Sequence, residues 1–227
     1  MPKITIPDSL KPQDGRFGCG PSRMRAEQLT AFVDFGNKYM GTSHRQPPIK
    51  NLVEDLKQGL LDMFHAPAGY EIILGNGGAS AFWDAATFSL VEKKGQALVH
   101  GEFGNKFANI LGAPWLERPT VVSAEPGTRS DLVAESGVDV YAYPHNETSA
   151  GVVTDVTRVS GADADALMLT DATSAAGGID FDPLETDAYY FAPQKNLASD
   201  GGLWLALVSP KAIERIERVA DPLDGLG

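Results

Sequence analysis

Tyr70-Glu71-Ile72-Ile73-Leu74-Gly75-Asn76-Gly77-Gly78-Ala79-Ser80 carries a short apolar run into a glycine loop, and a longer apolar stretch, residues 81–91, follows. A strand-length run cut off by glycines and continued by a helix-length segment reads as one strand–loop–helix step. The step recurs downstream. Residues 96–100 read as a strand, 106–111 as a short helix, and 120–123, 138–143, 166–170, 188–192 and 203–208 as further strand-length runs. Residues 211–219 read as a helix after Pro210. Upstream, residues 27–40 are helix-like. A clearer helix follows Pro47-Pro48, where Ile49, Leu52, Val53, Leu56, Leu60 and Phe64 fall at helical spacing. Strands alternating with helix-capable segments predict an α/β fold with a mainly parallel sheet flanked by helices. Such sheets collect ligands beyond the carboxyl ends of their strands, so the residues just after each strand deserve the closest reading.

The bulk properties narrow the classes of function. A chain of 227 residues, 43% of them apolar, suits one large domain or one domain with a small appendage. The formal charge of −11 argues against a general nucleic-acid or anionic-membrane surface, although a few local donors can still receive an anionic substrate. No apolar run approaches the roughly 20 residues of a spanning helix, and the N-terminus lacks a signal-peptide core, so a cytoplasmic address is expected by default. The single Cys19 excludes an internal disulfide and is expected to be a small packed thiol. One Cys with four His argues against a structural zinc site, and no metal is expected. No internal repeat or low-complexity linker is present.

Four strand ends carry chemistry. Gly77-Gly78-Ala79-Ser80 would bring backbone donors and the positive end of a helix dipole to an anion, with neither a Walker A lysine nor a full G-x-G-x-x-G to suggest a nucleotide. A plain strand-to-helix turn would look the same. Asp171, directly after the run at 166–170, can hold a pyridine nitrogen protonated; capping a turn is its ordinary alternative. Lys195 follows an aromatic strand and is read either as a surface charge or as an amine able to form an imine with an aldehyde. Phe103, after the strand at 96–100, is either a core aromatic or a flat face for an aromatic cofactor. The loop His145-Asn146-Glu147-Thr148-Ser149-Ala150-Gly151 adds hydroxyl and amide groups, or is an ordinary polar turn. Trp83, one turn into the helix after the glycines, reads as core. Each signal is weak alone; their order is informative.

That ordered set resembles the fold-type I enzymes that use pyridoxal 5′-phosphate (PLP), and in detail the phosphoserine aminotransferases of actinobacteria. The stretches that carry the resemblance are Phe17-Gly18-Cys19-Gly20-Pro21-Ser22, Gly41-Thr42-Ser43-His44-Arg45, Gly77-Gly78-Ala79-Ser80, His145-Asn146-Glu147-Thr148, Thr170-Asp171-Ala172-Thr173-Ser174 and Ala192-Pro193-Gln194-Lys195-Asn196. The resemblance implies Lys195 as the lysine that binds the cofactor covalently and moves the substrate's proton, and Asp171 as partner of the pyridinium nitrogen. It implies Phe103 stacked on the ring and Thr148 at the ring hydroxyl. Gly78, Ala79 and Ser80 with Gln194 would hold the phosphate, and Thr173 would lie beside the cofactor. His44 and Arg45 would bind a substrate phosphate, often across a dimer interface.

The implied reaction moves an amino group from glutamate to 3-phosphohydroxypyruvate, a phosphorylated 2-oxo acid, in a cytoplasmic homodimer of serine biosynthesis. Residues 1–227 are expected to form the PLP-binding large domain with its N-terminal segment, without the family's small C-terminal domain and the carboxylate-binding arginine expected there. Three other readings compete. An aminotransferase for a small amino acid, of the serine or alanine–glyoxylate type, would keep Lys195 and Asp171 without needing His44 and Arg45. A non-catalytic PLP-binding fragment would lack the carboxylate site. A nucleotide-binding α/β protein would leave Asp171 and Lys195 unexplained.

Overall fold

The computed structural model describes residues 4–15, 18 and 20–224, the last four as helix backbone, so Cys19 and its expected packing lie outside the described residues. The chain opens with α1 (Ala26–Tyr39), in which no residue is buried, and α2 (Pro47–Met63), which starts on the proline pair. Pro suits the first helical turn because the N–H it lacks would have had no partner there. The alternating part then begins: β1 (Glu71–Asn76), α3 (Gly78–Ser89), β2 (Gly95–Val99), α4 (Glu102–Ile110), β3 (Thr120–Ser123) and β4 (Val140–Pro144). A two-stranded ribbon, β5 (Asn146–Glu147) with β6 (Val152–Val153), follows. The chain continues through β7 (Leu167–Asp171), β8 (Ala188–Phe191), β9 (Leu203–Val208) and α5 (Pro210–Asp224).

Seven strands form one sheet in the order β1-β9-β8-β7-β4-β2-β3. The pairs from β8 through β7, β4 and β2 to β3 are parallel. β9 opposes both of its neighbours. Because β9 reverses twice, β1 runs with the parallel set, and the ends of β1, β2, β4, β7 and β8 emerge on one edge. The mainly parallel sheet read from the sequence is therefore present, with a single reversed strand.

Side-chain alternation along the strands fills both faces. On one face Val140, Ala142, Leu167, Leu169, Ala188, Tyr190, Ala206 and Val208 pack with α3, α4 and α5 residues such as Trp83, Phe107 and Ala212. On the other, Tyr189, Phe191, Leu205 and Leu207 pack with Leu60 and Phe64 from α2 and its end. Tyr141, Tyr143 and Met168 continue that second face under the segment holding Leu132 and Val159. Strands buried on both faces explain why their sequences read as unbroken apolar runs. Helix α4 begins at Glu102, earlier than the 106–111 run suggested, because its first turn is capped from elsewhere in the chain.

Candidate active site

The shared strand edge opens on a cavity of about 380 Å³. Gly78, Ala79 and Ser80 line it at the start of α3, Phe103 from the first turn of α4, and Thr148 from the ribbon. Asp171 and Thr173 line it after β7, and Gln194 and Lys195 after β8. Nine residues separated widely in sequence thus meet in one space. His44 and Arg45 do not join them: both are exposed in the turn before α2.

The anion-binding end is built by backbone. Gly77 caps α3 at φ 106°, and Gly78 follows at φ 70°, left-handed conformations that glycine adopts without a Cβ penalty. The Gly77 N–H donates to the Gly202 carbonyl at 2.9 Å, tying the loop to the residue before β9. No side chain caps α3. Its first-turn amides have no intrahelical acceptor and face the cavity with the positive end of the helix dipole.

The floor is Asp171. Its carboxylate accepts the Thr173 N–H at 2.9 Å, so its turn-capping role and its place in the cavity coexist. Burial raises the Asp171 carboxyl above the ordinary carboxylate range; hydrogen bonding from Thr173 and Tyr190 partly offsets this, and the nearby Glu147 charge adds to it. Among the described residues, Asp171 makes no ion pair. Tyr190 is its register partner on β8, and the Trp83 indole N–H donates to the Tyr190 hydroxyl at 2.9 Å. Indole is a donor only, so the phenol accepts from Trp83 and keeps its own proton for the carboxylate side. Trp83 is 4% exposed, the core residue expected from sequence, yet it also touches the cavity.

The lysine loop is clamped by the N-terminal segment. The Ser22 hydroxyl donates to the Lys195 carbonyl at 2.5 Å and the Ser22 N–H to the Gln194 carbonyl at 2.7 Å. A β-carbon on Gly20 would overlap the Lys195 side chain, so the lysine lies against a position open only to glycine. On the opposite wall, Ser174 Oγ accepts from Asn146 Nδ2 (2.7 Å) and Thr148 Oγ1 (2.8 Å) and donates to the Asn146 carbonyl (3.1 Å). That hydroxyl is saturated, which fixes the Thr148 rotamer. Among the described residues three buried side-chain atoms have no hydrogen-bond partner, and two of them, Thr173 Oγ1 and Gln194 Oε1, belong to residues that line the cavity. Gly20, Ser22, Asn146, Glu147, Ser174 and Tyr190 had no role assigned from sequence. The quoted motifs contain five of them, but only tertiary proximity reveals what they hold.

The arrangement suits a flat heteroaromatic ligand with an anionic tail and a basic ring nitrogen: amides for the anion, an aromatic plate, a carboxylate for the nitrogen and an amine alongside. Orphaned polar atoms inside such a cavity are hydrogen-bonding groups open to a bound ligand. Among the described residues, no group of three or more His, Cys, Asp or Glu is arranged to hold a metal, and no helix is long and apolar enough to cross a membrane.

Comparison with known proteins agrees with this geometry. Residues 17–220 match the family described as Aminotransferase class-V, and the chain belongs to that family. More particularly, it is 52% identical over 219 residues to a phosphoserine aminotransferase of a Nocardioides species, covering 96% of this chain and 59% of that one. Among solved structures, a phosphoserine aminotransferase from Cytophaga hutchinsonii superposes with a TM-score of 0.84 at 23% identity, covering 92% of this chain and 59% of that one. A PLP-bound phosphoserine aminotransferase from Trichomonas vaginalis gives 0.71 at 17% identity, covering 92% and 68%. These superpositions show the fold-type I architecture. The chain spans a little under three-fifths of the length of the curated relatives it matches.

Proposed function

We propose that this chain binds PLP in the strand-edge cavity and serves the glutamate-dependent amination of 3-phosphohydroxypyruvate to phosphoserine. The observation that carries the proposal is the convergence on one cavity of Lys195, Asp171, Phe103 and the open N-terminus of α3. The relatives' names support the choice of reaction. The orphaned Thr173 Oγ1 and Gln194 Oε1, together with an Asp171 carboxyl raised by burial and in no ion pair among the described residues, fit the donors and the ring cation that the cofactor would bring. PLP, when bound, supplies an aldehyde that links to amines and a protonated ring that accepts an electron pair.

The protein's own groups do the rest. Ala79 and Ser80 hold the phosphate with backbone N–H groups, assisted by Gln194. Asp171 keeps the ring nitrogen protonated, which stabilises the charge pair in a desolvated place. Phe103 covers the ring and Thr148 meets its hydroxyl. Lys195 Nζ is the covalent anchor and then the base that moves the proton on the substrate's α-carbon. His44 and Arg45, outside this cavity, are assigned to the substrate phosphate from a second subunit of a homodimer; their exposure leaves them available for that contact. Residues 1–227 are read as the PLP-binding large domain with its N-terminal segment, acting in the cytoplasm.

The test is spectroscopic. Purified chain with PLP is expected to show the absorption band of a lysine-bound cofactor, and borohydride followed by peptide mapping should place the label on Lys195. Labelling of another lysine would overturn the assignment. Glutamate should then convert the band to that of the amine form. A band that forms but does not convert supports cofactor binding without turnover. In the enzyme of full family length, replacing His44 and Arg45 by neutral residues should raise KM for the phosphorylated oxo acid. Unchanged KM would favour an aminotransferase for a small, unphosphorylated substrate.

A further inference from the structure

Glu147 lies beside the cavity without lining it, yet it is 0% exposed and densely bonded. Its carboxylate accepts the Gly104 N–H at 2.9 Å and the Phe103 N–H at 3.5 Å, both in the first turn of α4. It also accepts the Ser149 N–H at 3.2 Å and the Ser149 hydroxyl at 2.6 Å. Ser149 Oγ in turn accepts the Glu102 N–H at 2.9 Å. The first-turn amides that α4 cannot satisfy within itself are therefore taken by two side chains of the β5–β6 ribbon. Backbone packing is adapted to the same contact. A β-carbon on Gly101 would lie 2.9 Å from Glu147 Cγ and would overlap Ser149 Oγ. One on Gly104 would lie 2.9 Å from the Leu98 carbonyl oxygen.

We infer that Glu147 is a positioning residue for the cofactor ring, clamping the Phe103 turn and the Thr148 loop into one rigid wall. The inference rests on the PLP reading for its function and on the hydrogen bonds alone for the clamp. Phe103 and Thr148 come from separate elements: Phe103 from the first turn of α4, Thr148 from the turn just after β5. A buried carboxylate spanning both sets their separation. Its charge, close to Asp171, also adds to the negative field that favours a protonated ring nitrogen.

The test compares the wild-type chain with Glu147→Gln and Ser149→Ala. Hydrogen–deuterium exchange is read at Phe103 and Gly104, and PLP titrations are followed by absorption and by visible circular dichroism, which reports how the ring is held. In Glu147→Gln, exchange at these two amides should rise. PLP should bind roughly ten-fold more weakly, with a reduced dichroic band, the expected size for loss of a charge-assisted hydrogen bond. Ser149→Ala should change both readouts in the same direction by less. If Glu147→Gln does not fold, Ser149→Ala decides alone. Wild-type exchange and an unchanged dichroic band in the folded variant overturn the inference. A wild-type chain that takes up no PLP defeats the cofactor reading instead. The exchange comparison then still decides the clamp, which fails if Glu147→Gln leaves both amides protected.

Discussion

At the scale of single residues, Asp171 shows how a site is prepared at the expense of the fold. Its carboxyl is raised above 3.8 mainly by burial, so ionising it in the cofactor-free chain costs stability. The sign follows from linkage. A raised folded-state pKa favours folding below the unfolded value, and the benefit is lost as pH rises through the folded value. Asp171→Asn retains an acceptor for the Thr173 N–H but carries no charge. At neutral pH it is therefore expected to make the cofactor-free chain more resistant to urea than wild type, with the difference vanishing near pH 3.8. If Asp171 pairs with the ring nitrogen as proposed, the same substitution should weaken PLP binding, because the partner of the ring cation is gone. Urea midpoints across pH, with and without PLP, check both halves. Tyr190 gives a complementary case. Tyr190→Phe leaves the buried Trp83 indole N–H without its acceptor, and about 1–3 kcal/mol of stability should be lost in urea unfolding.

At the scale of elements, the turn between β1 and α3 separates two glycines that look alike in sequence. Both have positive φ, so any other residue is strained at either. At Gly77 a β-carbon would also lie 2.7 Å from the Ala81 β-carbon, whereas at Gly78 it meets open space. Gly78→Ala should cost about 1–2 kcal/mol, the penalty of a left-handed alanine. Gly77→Ala should cost more and displace the first turn of α3. A larger fall in PLP affinity for Gly77→Ala than for Gly78→Ala, alongside chemical denaturation, is the expected result.

The same elements show what a sequence can reveal. The strand–loop–helix steps were legible because doubly covered strands are apolar throughout and glycines punctuate them; the ends of β1, β7 and β8 placed Gly78, Asp171 and Lys195 correctly at one edge. The β5–β6 ribbon was not legible, since two-residue strands carry no periodicity. Nor was the early start of α4, whose cap comes from Glu147, 43 positions away. The Ser22–Lys195 clamp spans 173 positions, and no local pattern announces a contact that distant. His44 and Arg45 were legible as a motif, but they lie exposed in the turn before α2 and outside the cavity, so the fold alone gives them no contact with it.

For the whole molecule, the cavity is where distant parts of the chain depend on one another. The N-terminal segment reaches it through Ser22, the sheet through Asp171, α3 and α4 through their first turns, and the last strand pair through the Gly202–Gly77 bond. A ligand filling that space should stabilise the folded state as a unit, since unfolding any of these elements dismantles the site. Mass action sets the size: at a hundred-fold excess over its dissociation constant, PLP adds about 2.7 kcal/mol. For a chain of 227 residues this corresponds to a rise in Tm of roughly 5–10 °C. Pyridoxal, which lacks the phosphate, forfeits the contacts at α3 and should raise Tm by clearly less at equal concentration. On the proposed roles, Lys195→Ala keeps the phosphate contacts but loses the covalent link, so its shift should fall between zero and the wild-type value, and borohydride should fix no cofactor at position 195. Scanning calorimetry on the three pairings separates the phosphate cradle from the lysine. Equal shifts for PLP and pyridoxal would show that the α3 amides do not hold the anion, and the cofactor would then have to lie elsewhere.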